Sequence, residues 1–213
     1  MDAATAHLYA ADPALAALVE RIGPCRLTVE PREPYEALVR AISHQQLHAR
    51  AAEAILARFV ALFPGAPFPP PDGVLAADEG AMRACGLSAT KIAAVKDIAR
   101  RTLDGTVPTL AAAAALDDDA LIERLTTIRG VGRWTVEMLL IFTLGRPDVL
   151  PVDDFGIRDG WRLLHKLPAQ PKPRELAAIG AAWAPYRSTA AWYLWRASDE
   201  GKKIKPVGLP ASR

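Results

Sequence analysis

Cysteine is almost missing from the 213 residues: Cys25 and Cys85 stand far apart, with no second pair at metal-ligand spacing. A structural zinc or an iron–sulfur cluster on four thiolates is therefore excluded within one chain. No apolar run approaches the roughly 20 residues that cross a bilayer. Residues 1–33 do not show the basic start and unbroken apolar core that direct secretion. No membrane contact is expected, and the location expected is cytoplasmic and reducing. Excess charge is missing too: a net +2 does not name a polyanionic partner, so affinity for nucleic acid has to come from local features. Nowhere is there convincing period-2 alternation, the mark of a half-buried strand, and no internal repeat is visible.

What is present reads as all-α. With 51% hydrophobic and 23% charged residues, the chain can build one sizeable core or two lobes. Leu15, Leu18, Val19 and Ile22 recur at helical spacing over residues 13–22, which Gly23-Pro24 ends. From 35 to 63 the helical period returns, broken at Ser43-His44-Gln45-Gln46. There either the helix is interrupted and the glutamines emerge into a cleft, or the amides satisfy one another in the core; four consecutive polar residues favour the cleft. Pro64, Pro67, Pro69, Pro70 and Pro71 make residues 63–73 a stiff loop. Helices are expected over 74–84, 89–103, 117–127, 133–145, 155–167, 173–183 and 189–197, the last with Ser188 as its N-cap.

Two short stretches carry chemistry. In Ile128-Arg129-Gly130-Val131-Gly132 two glycines allow a tight turn whose amides point outward. The helix after it is apolar on nearly every side and so belongs in a core, and its first amides suit a phosphate oxygen. Pro151-Val152-Asp153-Asp154 follows. On its own, either aspartate reads more readily as the cap of the next helix.

Four patches in order, AISHQQ at 41–46, RACGLSATKIAAVKDIA at 83–99, RGVGRWT at 129–135 with PVDD at 151–154, and WAPYRSTAAWYLW at 183–195, resemble the helix-hairpin-helix (HhH-GPD) DNA glycosylase superfamily. The branch they resemble is DNA-3-methyladenine glycosylase II, in a compact form without an N-terminal sheet domain. The resemblance implies two helical lobes flanking a DNA-binding cleft, with the motif at about 117–145. It divides the chain into an N-terminal helix and extension packed on the core (1–33), a glycosylase core (34–201) and a basic C-terminal tail (202–213) carrying Lys202, Lys203, Lys205 and Arg213.

The same resemblance assigns roles. Asp154 is the expected catalytic carboxylate, with Asp153 the alternative, because breaking an N-glycosidic bond builds positive charge on the sugar that a nearby carboxylate stabilises. Trp134 stands where bifunctional relatives place a Schiff-base lysine, so base removal without strand cleavage is implied. Trp134, Trp195, Met138 and Trp192 are the expected base pocket, where electron-rich rings favour a cationic alkylated purine; Met138 and Arg196 stand where the best-known bacterial enzyme has aromatics. Trp161 and Trp183 are read as core. Gln45 and Gln46 match the interlobe segment that fills the gap left by an everted nucleotide, with Gln46 as the wedge; His44 and His48 are read as bystanders. Gly130, Gly132, Arg133 and Thr135 are expected on the DNA backbone. A structural Na+ or K+ on the carbonyls of Thr126, Ile128 and Val131 is implied by the family alone, and no other cofactor is expected. The implied partner is double-stranded DNA containing alkylated bases, bound by a monomer. The competing expectation is a non-catalytic helix-hairpin-helix module that binds DNA, which would have no use for a carboxylate at 154.

Overall fold

The computed structural model describes residues 2–204, with side chains except at Ala49 and residues 202–204. Among the described residues there are helices and no strand: α1 (Ala3–Ala11), α2 (Pro13–Ile22), α3 (Pro34–His44), α4 (Ala49–Ala61), α5 (Pro71–Ala76), α6 (Glu79–Ala84), α7 (Ala89–Leu103), α8 (Leu110–Ala115), α9 (Asp118–Thr126), α10 (Arg133–Phe142), α11 (Phe155–Leu164), α12 (Pro173–Ile179) and α13 (Arg187–Ile204), with a 3-10 turn at Gly180–Trp183. The chain divides into two compact units. One is Val29–Gly145; the other joins Met1–Thr28 to the chain from Arg146 onward.

In the first unit α10 is buried along Val136, Leu139, Leu140 and Ile141, as an apolar helix must be. It packs against α3 and α9, and α3 packs on α7. It ends at Phe142, before the expected Gly145, because the Leu144 amide reaches back to the Leu139 carbonyl at 3.0 Å and Gly145 then turns with φ +66°. The expected interruption lies between α3 and α4. Ser43, however, stays in the core, its hydroxyl donating to the Val39 carbonyl at 2.9 Å, and only the residues after it emerge. The proline loop is shorter than expected. Pro71 opens α5, the one helical position where a missing N–H costs nothing, and the single helix expected over 74–84 is two, because Asp78 caps a new start at Ala81 N.

The second unit has one core, in which Leu8, Leu15, Leu18 and Val19 of α1 and α2 pack with Ile157, Trp161, Leu176, Trp183, Tyr193 and Leu194. The N-terminal extension is thus two helices built into this core. The first has only Thr5 and Leu8 buried and an alanine-rich remainder, so its period is faint. Trp161 and Trp183 are both core, 5.3 Å apart between ring centroids. The defining contact is α11 on α13. A Cβ at Gly160 would lie 2.0 Å from the Leu194 carbonyl oxygen, so only glycine permits the crossing. α13 does not start at a Ser188 cap. Ser188 is buried as a clasp, donating to the Arg146 carbonyl at 2.7 Å and accepting from the Val149 amide at 3.0 Å. Nor does the helix end at the expected Ala197; it runs on through Gly201, the contact point for Leu163. Lys202 and Lys203 therefore belong to α13; the rest of the expected basic tail, from Lys205, lies outside the described residues.

Candidate functional site

The first unit presents the hairpin and the α3–α4 connection side by side. Gly130 takes φ +79°, a conformation that side chains rarely adopt, and rests on Ala94 and Ile42. Ile128 O accepts from Val131 N at 3.1 Å, which closes the turn. Asp97 of α7 accepts from Arg129 N at 2.9 Å, and the Gln45 amide donates to Gly130 O at 3.2 Å. Gly132 is the N-cap of α10. The amides of Gly130, Gly132 and Arg133 form no hydrogen bond among the described residues, so the amide end of α10 is available to an anion.

Thr135 is buried, and Arg133 has a partner on its own helix. Thr135 is 3% exposed and its amide donates to Gly132 O at 2.9 Å, so it braces the turn from inside and does not face an external phosphate. Arg133 pairs with the buried Glu137 at 3.0 Å, with its guanidinium still half-exposed.

Gln45, Gln46, Trp134 and Met138 share one pocket of about 720 Å³ in this unit, whose wall also holds Phe142, Arg40, His44 and Glu53. His44 lies 3.0 Å from Glu53. Trp134 is 41% exposed, large for an indole at the start of a buried helix. Gln46 is exposed and has φ +58°, left-handed for a residue other than glycine, so the backbone here is held against its preference.

The second unit carries the aspartates. Asp153 is exposed within the turn that Asp154 N closes onto Pro151 O at 3.1 Å. Asp154 is half-buried and caps α11: its Oδ1 accepts from Ile157 N at 2.8 Å and from Trp195 Nε1 at 2.9 Å. Capping and orientation by an indole therefore act on the same oxygen, and both donors suit an ionised carboxylate. Phe155, the next residue, is 66% exposed. Trp192 is 9% exposed, set edge-on to Tyr193, with the Arg196 guanidinium 5.6 Å from its ring centroid.

Several supports carry no motif of their own. Arg187 grips Asp148 through both carboxylate oxygens, at 2.7 and 2.9 Å, and so pins the loop leading to Asp154 onto the start of α13. This guanidinium holds the Asp148 carboxyl below the usual carboxylate range. Gly156 and Gly160 put small residues one turn apart where α11 meets Trp195 and Leu194. That spacing is visible in the sequence as a close-packing signal. No group of three or more His, Cys, Asp or Glu that could hold a metal ion occurs among the described residues.

Residues 39–185 match the model of the HhH-GPD superfamily of base excision DNA repair proteins. The chain belongs to this superfamily. Within the HhH-GPD proteins it is 47% identical over 203 residues to DNA-3-methyladenine glycosylase 1 of Schizosaccharomyces pombe, covering 94% of this chain and 89% of that relative. The structure of the S. pombe 3-methyladenine DNA glycosylase in complex with abasic DNA superposes with a TM-score of 0.86 at 46% identity, over 93% of this chain and 97% of that one. A DNA-3-methyladenine glycosidase from Bacillus halodurans follows the same HhH-GPD fold, with a TM-score of 0.84 at 32% identity over 95% and 92% of the two chains.

Proposed function

We propose that this chain is a monofunctional DNA glycosylase that hydrolyses the N-glycosidic bond of alkylated bases, 3-methyladenine and 7-methylguanine among them, in duplex DNA and leaves an abasic site for base excision repair. The observation that carries the reading is the Asp154 carboxylate, whose Oδ1 accepts from both a helix amide and an indole N–H in a chain of this family.

The chemistry follows from the charges. The C1′–N bond breaks with its electron pair leaving on the base. An alkylated purine is already cationic, so it departs neutral and needs little help from a general acid. The sugar becomes an oxocarbenium-like cation, which Asp154 stabilises electrostatically. Water adds at C1′ and its proton passes to Asp154 or to solvent. Trp134 occupies the place where an amine would attack the sugar, so no imine forms and the strand stays intact. Gln46 is the wedge that occupies the space of the everted nucleotide, and Trp134 and Met138 offer the alkylated base an electron-rich wall. Gly130 and Gly132 hold a phosphate by backbone amides, which positions DNA without reading its sequence. A Na+ or K+ ion at the hairpin belongs to the same reading; Ile128 O already accepts from Val131 N, and its second lone pair is the one a cation would use. The enzyme works beside its DNA, cytoplasmic and nucleoid-associated, and as a monomer.

The test is Asp154→Asn. The asparagine oxygen still accepts from Ile157 N and Trp195 Nε1, so folding and DNA binding should persist while the charge is lost. Release of free methylated base from alkylated DNA should fall by about 10²–10³-fold. Full activity in this variant sinks the mechanism, and wild-type protein that binds DNA without releasing base makes the chain a binding module.

A further inference from the structure

The two loops of the first unit assigned to DNA above are tied to each other and to a single face of α7. At the end of α3, the Ser43 carbonyl accepts from Lys91 Nζ at 2.8 Å, a cation placed on the negative end of a helix. One turn further along α7, Ala94 is the floor under Gly130, whose Cβ, if it had one, would come within 3.0 Å. Another turn on, Asp97 takes Arg129 N. Lys91, Ala94 and Asp97 are thus spaced as neighbours on one side of the helix. Between the loops themselves Gln45 spans the gap, donating from Nε2 to Gly130 O. The next residue, Gln46, is the one held at φ +58°. A residue in that backbone conformation persists only where its surroundings over-determine it, and the anchors just ahead of it in the chain are the Lys91–Ser43 contact and the Gln45–Gly130 contact.

We propose that Gln45 is not itself inserted into DNA but is a strut, and that Gln45 and Lys91 are positioning residues which hold Gln46 in register with the phosphate-gripping hairpin. The inference rests on the glycosylase reading and on Gln46 as its wedge. Fixing the wedge relative to the grip means that closure of the hairpin on a phosphate places Gln46 at one defined step of the duplex. The strut acts on nucleotide extrusion, not on bond breaking, and so its loss falls on lesions that are paired.

The test uses single-turnover release of 7-methylguanine from two duplexes, one with the lesion paired to cytosine and one with it opposite a tetrahydrofuran abasic site, where no pairing resists extrusion. Gln45→Ala and Lys91→Met should slow release from the paired duplex about tenfold, the size of one lost hydrogen bond that sets position. On the unpaired duplex they should change it less than about twofold. Lys91→Arg should restore most of the loss. In a Gln46→Ala background, adding Gln45→Ala should cost nothing further, since the strut then has no wedge to hold. Equal losses on both duplexes, or a full additional loss in the Gln46→Ala background, overturn the proposal. A second readout does not depend on catalysis: 2-aminopurine paired with thymine in bound DNA should report less unstacking with Gln45→Ala than with the wild type. Wild-type protein that releases no base but shows this Gln45-dependent fluorescence overturns the glycosylase reading and supports the strut; fluorescence unchanged by Gln45→Ala overturns the strut alone.

Discussion

Replacing Gly160 with alanine sets two known effects against each other. In a helix interior alanine is favoured over glycine by about 1 kcal/mol, so in open space the change stabilises. Gly160 is not in open space. The added Cβ would lie 2.0 Å from Leu194 O and 2.7 Å from Leu194 C, whereas a carbon meets a carbonyl oxygen comfortably at about 3.3–3.6 Å. α11 and α13 would have to separate by more than about 1 Å, and both partners are backbone, which cannot rotate away as a side chain can. Overpacking of this kind costs about 1–3 kcal/mol, so the clash outweighs the propensity gain. The damage also reaches the site, because Leu194 precedes Trp195, whose indole holds Asp154 at 2.9 Å. Urea denaturation should show a lowered midpoint at unchanged slope. Single-turnover base release should fall about 10–10²-fold, as expected for a misplacement near 1 Å. A more stable protein with unchanged release would refute the claim that this crossing sets the geometry of Asp154.

The other predictions bear on the same unit. Trp195→Phe keeps an aromatic ring and removes the N–H donated to Asp154 Oδ1; a hydrogen bond to a charged group is worth about 1.5–3 kcal/mol, so release should drop at least tenfold in single turnover with DNA affinity little changed. For Asp148, the arginine partner lowers the folded-state pKa. Its contribution to stability is then complete above the unfolded value near 3.9 and is lost as pH falls through the lower folded value. Asp148→Asn should therefore cost stability at neutral pH and flatten the acid limb of a pH–stability curve below about pH 4. The pair is about one-third exposed, so screening holds the effect to about 1 kcal/mol or less.

Much of the helical order was legible because it rests on local rules. α2 and α7 start and stop where the apolar period places them, α2 just before Gly23-Pro24. The break after α3 was visible as polar residues interrupting a stripe. What failed depended on distant partners. Ser188 carries the side chain of a helix cap, but α13 already has Arg187 in its first turn, and the hydroxyl serves a loop some forty residues upstream. The last helix was expected to end at Ala197, yet α13 runs on through Gly201, which Leu163 packs against. Thr135 looked like part of a phosphate grip because it follows the hairpin, yet the helix turns it inward.

The two candidate roles of Asp154, helix cap and catalytic carboxylate, were alternatives when only the sequence was considered, and the geometry makes them compatible. Both donors engage Oδ1. An oxygen that accepts from both a helix amide and an indole N–H has its direction set before any reaction begins. Such preorganisation is what stabilising a developing sugar cation demands, since the charge must already be oriented when the bond breaks. A cap alone does not need the indole: the Ile157 amide would satisfy it. Trp195 is therefore the residue that separates the two explanations, and its N–H is the part of the site that a merely structural aspartate leaves unexplained.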